Sequence, residues 1–144
     1  MQELPYTILD HSGDLRIKAE GENFLEALAH ASCGLLSQIT SPDTVQEANE
    51  RPIVVTGESQ SEQALAFLNE LLFLAYGRHW LPKRVKWLTL CAQKGCLELE
   101  GTLTGETVDP SRHEFKYDIK AVTYHDFKIE QINGRTMIEF VCDL

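Results

Sequence analysis

The chain has 144 residues, 43% of them hydrophobic, and carries 13 Lys plus Arg against 22 Asp plus Glu, for a formal net charge of -9. That length suits one core and one domain over residues 1–144, and the acidic balance sets the surface as a whole against nucleic acid and anionic lipid. Strong direct nucleic-acid binding is therefore not expected, and any service to RNA would run through a protein partner. The amino end, MQELPYTILDHSGD, lacks the basic and apolar stretches of an export signal, and no apolar run reaches membrane-spanning length. Cytoplasmic residence and no membrane partner are the expectations.

In chain order, Leu15, Ile17 and Ala19 alternate with Arg16, Lys18 and Glu20, which reads as a half-buried strand ending at Gly21. Asn23 then offers an N-cap with Glu26 three places on, and Leu25, Leu28, Ala29, Ser32, Leu35, Leu36 and Ile39 recur at helical spacing until SPDT. RPIVVTGE reads as a short strand. Leu65, Leu68, Leu71, Leu72 and Ala75 mark a second helix from about Ser61 to Tyr76, stopped by Gly77. From Arg84 onward the pattern turns to strands, VKWLTLCA and CLELEGTL, then a polar loop TGETVDPSR and a final strand pair. Helices early and strands late predict an α+β fold, two helices packed on a mixed, largely antiparallel sheet.

The last pair can be put in register. Asn133-Gly134 predicts a two-residue type I′ turn, so that 132 pairs with 135, Ile129 with Ile138, Phe127 with Phe140 and Lys128 with Glu139. Apolar residues and an ion pair then share faces consistently. Continued without a bulge, the ladder sets Asp143 opposite Tyr124, on a face with Val122 and Lys120.

Four cysteines occur, Cys33, Cys91, Cys96 and Cys142, with no CxxC. Cys91 and Cys96 flank AQKG and could face each other across a hairpin as a disulfide or half a thiolate site. In a chain without export signals the better reading is reduced, mostly buried thiols.

In DHSGD, Asp10, Ser12 and Asp14 alternate as oxygen ligands do at the start of an EF-hand, but the sixth position is Leu15 instead of Gly and the twelfth is Gly21 instead of Glu. An EF-hand is excluded. What remains is an oxygen-rich turn able to share a hard cation with another carboxylate, although such turns more often cap backbone donors. By the same weighing, Lys120 reads first as a snorkelling strand lysine, and His11, His113 and His125 as packed or hydrogen-bonding histidines.

LDHSGDLRIKAEG, LAFLNELLFLAYG, HEFKYDIKAVTYH and an apolar carboxyl end closing in Asp-Leu together resemble the archease family, from Tyr6 to Leu144. The resemblance implies a single archease-like α+β domain that is not itself an enzyme. It implies instead an activator of an RtcB-type RNA ligase, the enzyme that joins 2′,3′-cyclic phosphate or 3′-phosphate ends to 5′-hydroxyl ends in tRNA splicing or RNA repair. It carries metal binding onto Asp14 and Asp143 and a functional lysine onto Lys120, with Asp10 and His11 opening the same motif and His125 closing KAVTYH. The carboxylate of Leu144 would complete an all-oxygen site for a divalent cation, calcium first, with magnesium or manganese as alternatives to it. Where the family reads DHTAD, this chain has Ser12, which keeps the hydroxyl, and Gly13, which loosens the turn. A stand-alone metal-dependent hydrolase built on Asp10, His11, Asp14 and His125 is the second reading, and a chaperone-like binder the third. Against the hydrolase, the sequence has no nucleophile elbow, no phosphate-cradling glycine loop and no dense His/Asp set.

Overall fold

A computed structural model describes residues 4–11, 14–93 and 96–144. Among the described residues seven strands and two α-helices follow one another as β1 (Tyr6–His11), β2 (Asp14–Gly21), α1 (Phe24–Ile39), β3 (Asn49–Gly57), α2 (Gln60–Leu72), β4 (Trp80–Gln93), β5 (Cys96–Thr107), β6 (Ala121–Ile132) and β7 (Arg135–Asp143). The fold is α+β as the pattern predicts, but the strands divide into two antiparallel sheets, ordered β1-β2-β7-β6 and β3-β5-β4, in place of one mixed sheet.

The alternation in β2 does what period-two patterning requires. Leu15, Ile17 and Ala19 are buried and lie opposite Cys142, Phe140 and Ile138 of β7, which are buried as well. That apolar face receives α1 through Ala27, Leu28, Ala31, Leu35 and Ile39, all fully buried. Helix α2 adds Ala64, Phe67, Leu68 and Leu71, and the second sheet closes the core with Ile53, Leu99, Leu103 and Leu81. Both helices touch both sheets, so the core lies between two β layers.

The Asn23 cap behaves as read, and a second cap was not foreseen. Asn23 Oδ1 accepts from the Glu26 N–H at 2.9 Å, and Ser59 repeats the device for α2 on Glu62 at 3.1 Å. The second helix begins one residue before the expected Ser61 and changes winding at its far end. After Leu72 it continues as a π-helical turn, Phe73–Gly77, which leaves His79 in a left-handed conformation at φ 56°.

The 108–120 connection is pinned, not loose. Glu106 at its root is buried and accepts from Arg112 at 2.7 and 3.0 Å and from the Gln46 N–H at 2.7 Å. His113 Nδ1 accepts from the Asp109 N–H at 2.8 Å, which places the ring proton on Nε2, 3.0 Å from Glu106. His113 is thus the hydrogen-bonding histidine the sequence suggested. Further on, Lys116 N–H donates to the Ile39 carbonyl at 2.9 Å and its ammonium to the Ser37 carbonyl at 2.8 Å.

The preferred reading of reduced cysteines holds where they are described, the facing alternative for Cys91 and Cys96 does not, and the loop needs correction. Cys91 lies opposite Glu98 and not Cys96, and it is a free thiol, as are Cys33 and Cys142. The supposed loop from Thr104 to Arg112 begins as strand, since β5 runs on to Thr107. The strand β1, absent from the sequence reading, sits at the outer side of β2.

Candidate metal and docking site

The carboxyl end reaches its place through β7, which is central in the four-stranded sheet and paired on both sides. The β2–β7 ladder ends with Leu15 opposite Cys142, so the next residue outward on each strand is Asp14 and Asp143. Because Leu15 and Cys142 face the core, these two acids share the opposite, solvent-facing side. Directly opposed positions of an antiparallel ladder bring Cβ atoms to about 4.5–5.5 Å, within reach of one shared cation. Both are exposed, and neither carboxylate has an ion-pair or hydrogen-bond partner among the described residues. The register therefore puts the residues that sequence reasoning brought together from opposite ends of the chain at the same end of the β2–β7 pair, each one position beyond its last printed partner. The side chains of Asp10 and His11 lie outside the described part. Their backbones pair with Leu15 and Asp14 in the β1–β2 hairpin.

The register of β6 departs from the expectation. The turn itself is as read, with Asn133 at φ 53°, Gly134 at φ 80° and Ile132 opposite Arg135. Ile129 pairs with Ile138 and Lys128 with Glu139, but the ladder then breaks and resumes with Thr123 opposite Val141. Tyr124 to Phe127 bulge out against Phe140 alone. Phe127 still meets Phe140 as a packed ring pair at 6.4 Å, outside the Cα register. Asp143 consequently lies opposite Ala121, not Tyr124. The physical reason is Asp126, which takes a left-handed φ of 59° and turns its carboxylate onto Arg16 at 3.1 Å, while Arg16 also binds Glu139 at 3.0 Å. The Arg16 guanidinium holds the Asp126 carboxyl below the usual carboxylate range. His125 is left almost fully exposed beside Asp126 at 3.3 Å.

The bulge also decides where Lys120 goes. Val122 is buried opposite Cys142, so the expectation that Val122 and Lys120 share the Asp143 face fails. Lys120 is bound to Asp143 through the backbone instead, its N–H donating to the Asp143 carbonyl at 2.8 Å. Its side chain lines a groove of about 410 Å³ with Asn69, Phe73, Tyr76, Asp118 and Ile119. Asp143 and Lys120 thus occupy two sides of one sheet corner.

Two residues that sequence reasoning missed hold this corner. Asn69 Oδ1 accepts the Val122 N–H at 2.9 Å and its Nδ2 donates to the Val122 carbonyl at 3.0 Å, so one amide side chain imitates a neighbouring strand. Seven residues on, on the same helical side, the Tyr76 hydroxyl donates to the Tyr117 carbonyl at 2.7 Å and accepts from the Ile119 N–H at 3.3 Å. Burial pushes the Tyr76 phenol up, keeping its proton available for that bond. A polar Asn inside an otherwise apolar helical stripe was the available signal.

Exposed carboxylates such as those of Asp14 and Asp143 are hard oxygen donors of the kind that divalent cations such as calcium take. Among the described residues no three His, Cys, Asp or Glu side chains gather into a metal cluster of their own. Cys142, next to Asp143, points into the core and away from these acids, and burial pushes its thiol up to about 12.

Two antiparallel sheets enclosing two helices, with amino-terminal and carboxyl-terminal acids meeting at one sheet end, define a small acidic α+β protein whose likeness to known structures is extensive. A solution structure of a protein from Methanobacterium thermoautotrophicum superposes with a TM-score of 0.84 at 25% identity, covering 99% of this chain and all of the other. A Thermotoga maritima archease, described as a possible chaperone, shares the fold at a TM-score of 0.60 and 20% identity. The model of the archease protein family matches residues 6–144. Protein archease of Pyrococcus furiosus is 33% identical over 138 residues, 94% of this chain and 95% of its own, and that of Methanopyrus kandleri is 30% identical over 141 residues, 98% and 100%. The chain belongs to the archease family.

Proposed function

We propose that this archease activates an RtcB-type RNA ligase, promoting its guanylylation and repeated turnover without catalysing ligation itself. The observation that carries the proposal is the bond from the Lys120 N–H to the Asp143 carbonyl, which fixes the one lysine of KAVTYH against the acidic chain end. A divalent cation on Asp14 and Asp143 would neutralise mutually repelling charges and supply a fixed positive centre there. The protein's own residues do the positioning: Asn69 and Tyr76 stop the Lys120 segment from fraying, and β7 holds Asp143 against Asp14. The ammonium of Lys120 then faces the partner from a preorganised strand end and not from a flexible tail. The net charge of -9 supports a route through a protein partner instead of through RNA.

The test is incubation of the protein with RNA ends, with and without a cognate ligase. An activator is silent alone and accelerates guanylylation and multiple-turnover joining in combination. Lys120→Ala should fold normally, because an exposed strand-end cation adds little stability, yet lose at least tenfold of the stimulation. Ligation or hydrolysis by the protein alone, or full stimulation by Lys120→Ala, would overturn the proposal.

A further inference from the structure

The three-stranded sheet turns one face to the core, through Ile53, Leu99 and Leu103, and the other to solvent. Alternation along β3 and β5 sends Pro52, Val54, Glu98, Glu100 and Thr102 outward. On β4, Leu88 packs on the core, which leaves Trp87 and Thr89 outside. The register sets Trp87 in one row with Thr102 and Pro52, and Thr89 in the next with Glu100 and Val54. Trp87 is 48% exposed and Val54 54%. An indole that the core leaves half in water, amid apolar neighbours on a sheet face, is the residue type that interfaces favour.

Charge selects what covers it. Each cation of the three strands is already engaged: Arg51 lies over the Trp80 ring at 5.0 Å, Lys83 donates to the Pro42 carbonyl, Arg84 pairs with Glu47 and Lys86 with Glu50. The Arg84 and Lys86 pairs close the face at Thr104, which is buried and donates to Glu47 at 2.7 Å. Glu98 and Glu100 lie beyond that closed end. Both are half-buried on the central strand, and neither carboxylate has an ion pair or hydrogen bond among the described residues. Their cross-strand neighbours, Thr56 and Cys91 for Glu98 and Val54 and Thr89 for Glu100, carry no charge to balance them.

A guanidinium answers both features, since it stacks on an indole and pairs with a carboxylate in a planar fork. An ammonium is more strongly hydrated and has no such fork. Phosphate groups of RNA or lipid would meet like charge here, and two copies of a chain of net charge -9 repel each other. Glu98 and Glu100, two places apart on one strand, stand about 7 Å apart, the spacing at which alternate side chains of an extended segment recur.

We propose that the outer face of β3-β5-β4 receives an extended, arginine-bearing segment of a partner protein, with alternate arginines set over Glu98 and Glu100 and against the Trp87 ring. The surface belongs to the sheet that carries neither Asp14 nor Asp143. It goes beyond the proposed function and is independent of whether the partner is a ligase.

Blocked pentapeptides test it: Arg-Ser-Arg-Ser-Arg and its lysine and glutamate counterparts, titrated while NMR follows the Trp87 indole N–H. The arginine peptide should shift that signal together with the Glu100 and Thr102 amides. The lysine peptide should bind several-fold more weakly and the glutamate peptide not at all. Trp87→Ala and, separately, Glu98→Gln/Glu100→Gln should each weaken the arginine peptide by about fivefold or more. Glu114→Gln/Glu130→Gln removes the same charge from exposed acids elsewhere and should leave its affinity nearly unchanged. An equal loss in that control would mark bulk charge as the cause and overturn the proposal. So would equal binding of the lysine peptide, a Trp87 signal unmoved by saturating arginine peptide, or one that moves with protein concentration alone, marking a second copy as the occupant. Ligase activation is not a readout, so its failure cannot be confused with this one.

Discussion

Two acidic clusters of this molecule have opposite fates. Glu106 is buried, with Arg112, His113 and the Gln46 N–H all directed at its two oxygens. Asp14 and Asp143 are exposed neighbours with no described partner. A carboxylate whose oxygens are used up by its own protein is spent on folding, as Glu106 is in anchoring the 108–116 connection. A pair left without cations where two strand ends meet costs stability through repulsion and keeps its lone pairs for something else. The difference teaches that the state of the partners, and not the count of acids, separates a structural carboxylate from a candidate ligand.

The largest effect should come from breaking the satisfied cluster. Glu106→Gln removes the charge facing Arg112 and turns an amide donor toward groups that already donate. Loss of one member of a buried ion pair costs about 3–5 kcal/mol, and the partial exposure of Arg112 puts the expected loss near the lower end, about 3 kcal/mol. Urea denaturation at pH 7 measures it. A loss within about 0.5 kcal/mol, as for ordinary surface changes, would place Glu106 with the exposed acids.

The same cluster predicts a pH dependence. Hydrogen bonds from Arg112 lead in lowering the Glu106 carboxyl from 4.5 to about 2. A carboxyl lowered in the folded state contributes stability that is fully present above its unfolded value and is lost as pH falls through the folded one. The gap between the native protein and Glu106→Gln should therefore be constant above about pH 5.5 and shrink as pH falls from 4.5 toward 2. Parallel denaturation curves through that window would contradict this assignment.

The sequence made some of this legible and hid the rest for physical reasons. Periodicity in β2, α1 and β7 is a local consequence of burying one face, so the core could be read directly, as could the Asn133-Gly134 turn, whose positive φ angles favour those residue types. The division into two sheets could not, because strand partners are set by helices that both sheets must cover. Nor could the β6 bulge, since it depends on Arg16, distant in sequence, pulling on Asp126; an aspartate within a strand pattern was its only local trace. The nearness of Asp14 and Asp143 had no signal in spacing at all. It came from likeness to a family, and the β2–β7 register supplies its geometric basis. Glu106 escaped notice because its partners arrive from Gln46 and from beyond a turn.

A smaller effect should follow at the covered edge. Asn69→Ala strips both outward groups of Val122 of their partner. With the segment only part-buried, water replaces some of what is lost, and the cost should be about 1–2 kcal/mol. Hydrogen exchange at the Val122 amide should rise well beyond what that global loss explains, while exchange in α1 follows the global value. Uniform acceleration would mean that Asn69 supports the fold generally and does not clamp the Lys120 segment.

The smallest change in stability should come from the exposed pair itself, and it should have the opposite sign to that of Glu106. Asp143→Asn preserves shape and leaves the backbone bond to Lys120 in place, so nothing that holds β7 is removed. In the absence of divalent ions it deletes a repulsion with Asp14, and the melting temperature should stay level or rise slightly, within about 0.5 kcal/mol. Added calcium should separate the two proteins. A cation that binds only the folded state stabilises by about 2.7 kcal/mol at a hundredfold excess over its dissociation constant, and the native protein should gain on that scale while Asp143→Asn gains much less, because an amide oxygen is a weaker partner for a hard ion. Scanning calorimetry with chelator and then with calcium reads both halves. If the native protein is indifferent to calcium, magnesium and manganese alike, the unpaired acids are not a metal site. If Asp143→Asn is instead markedly destabilised with chelator present, Asp143 belongs with Glu106 as a carboxylate already committed to the fold.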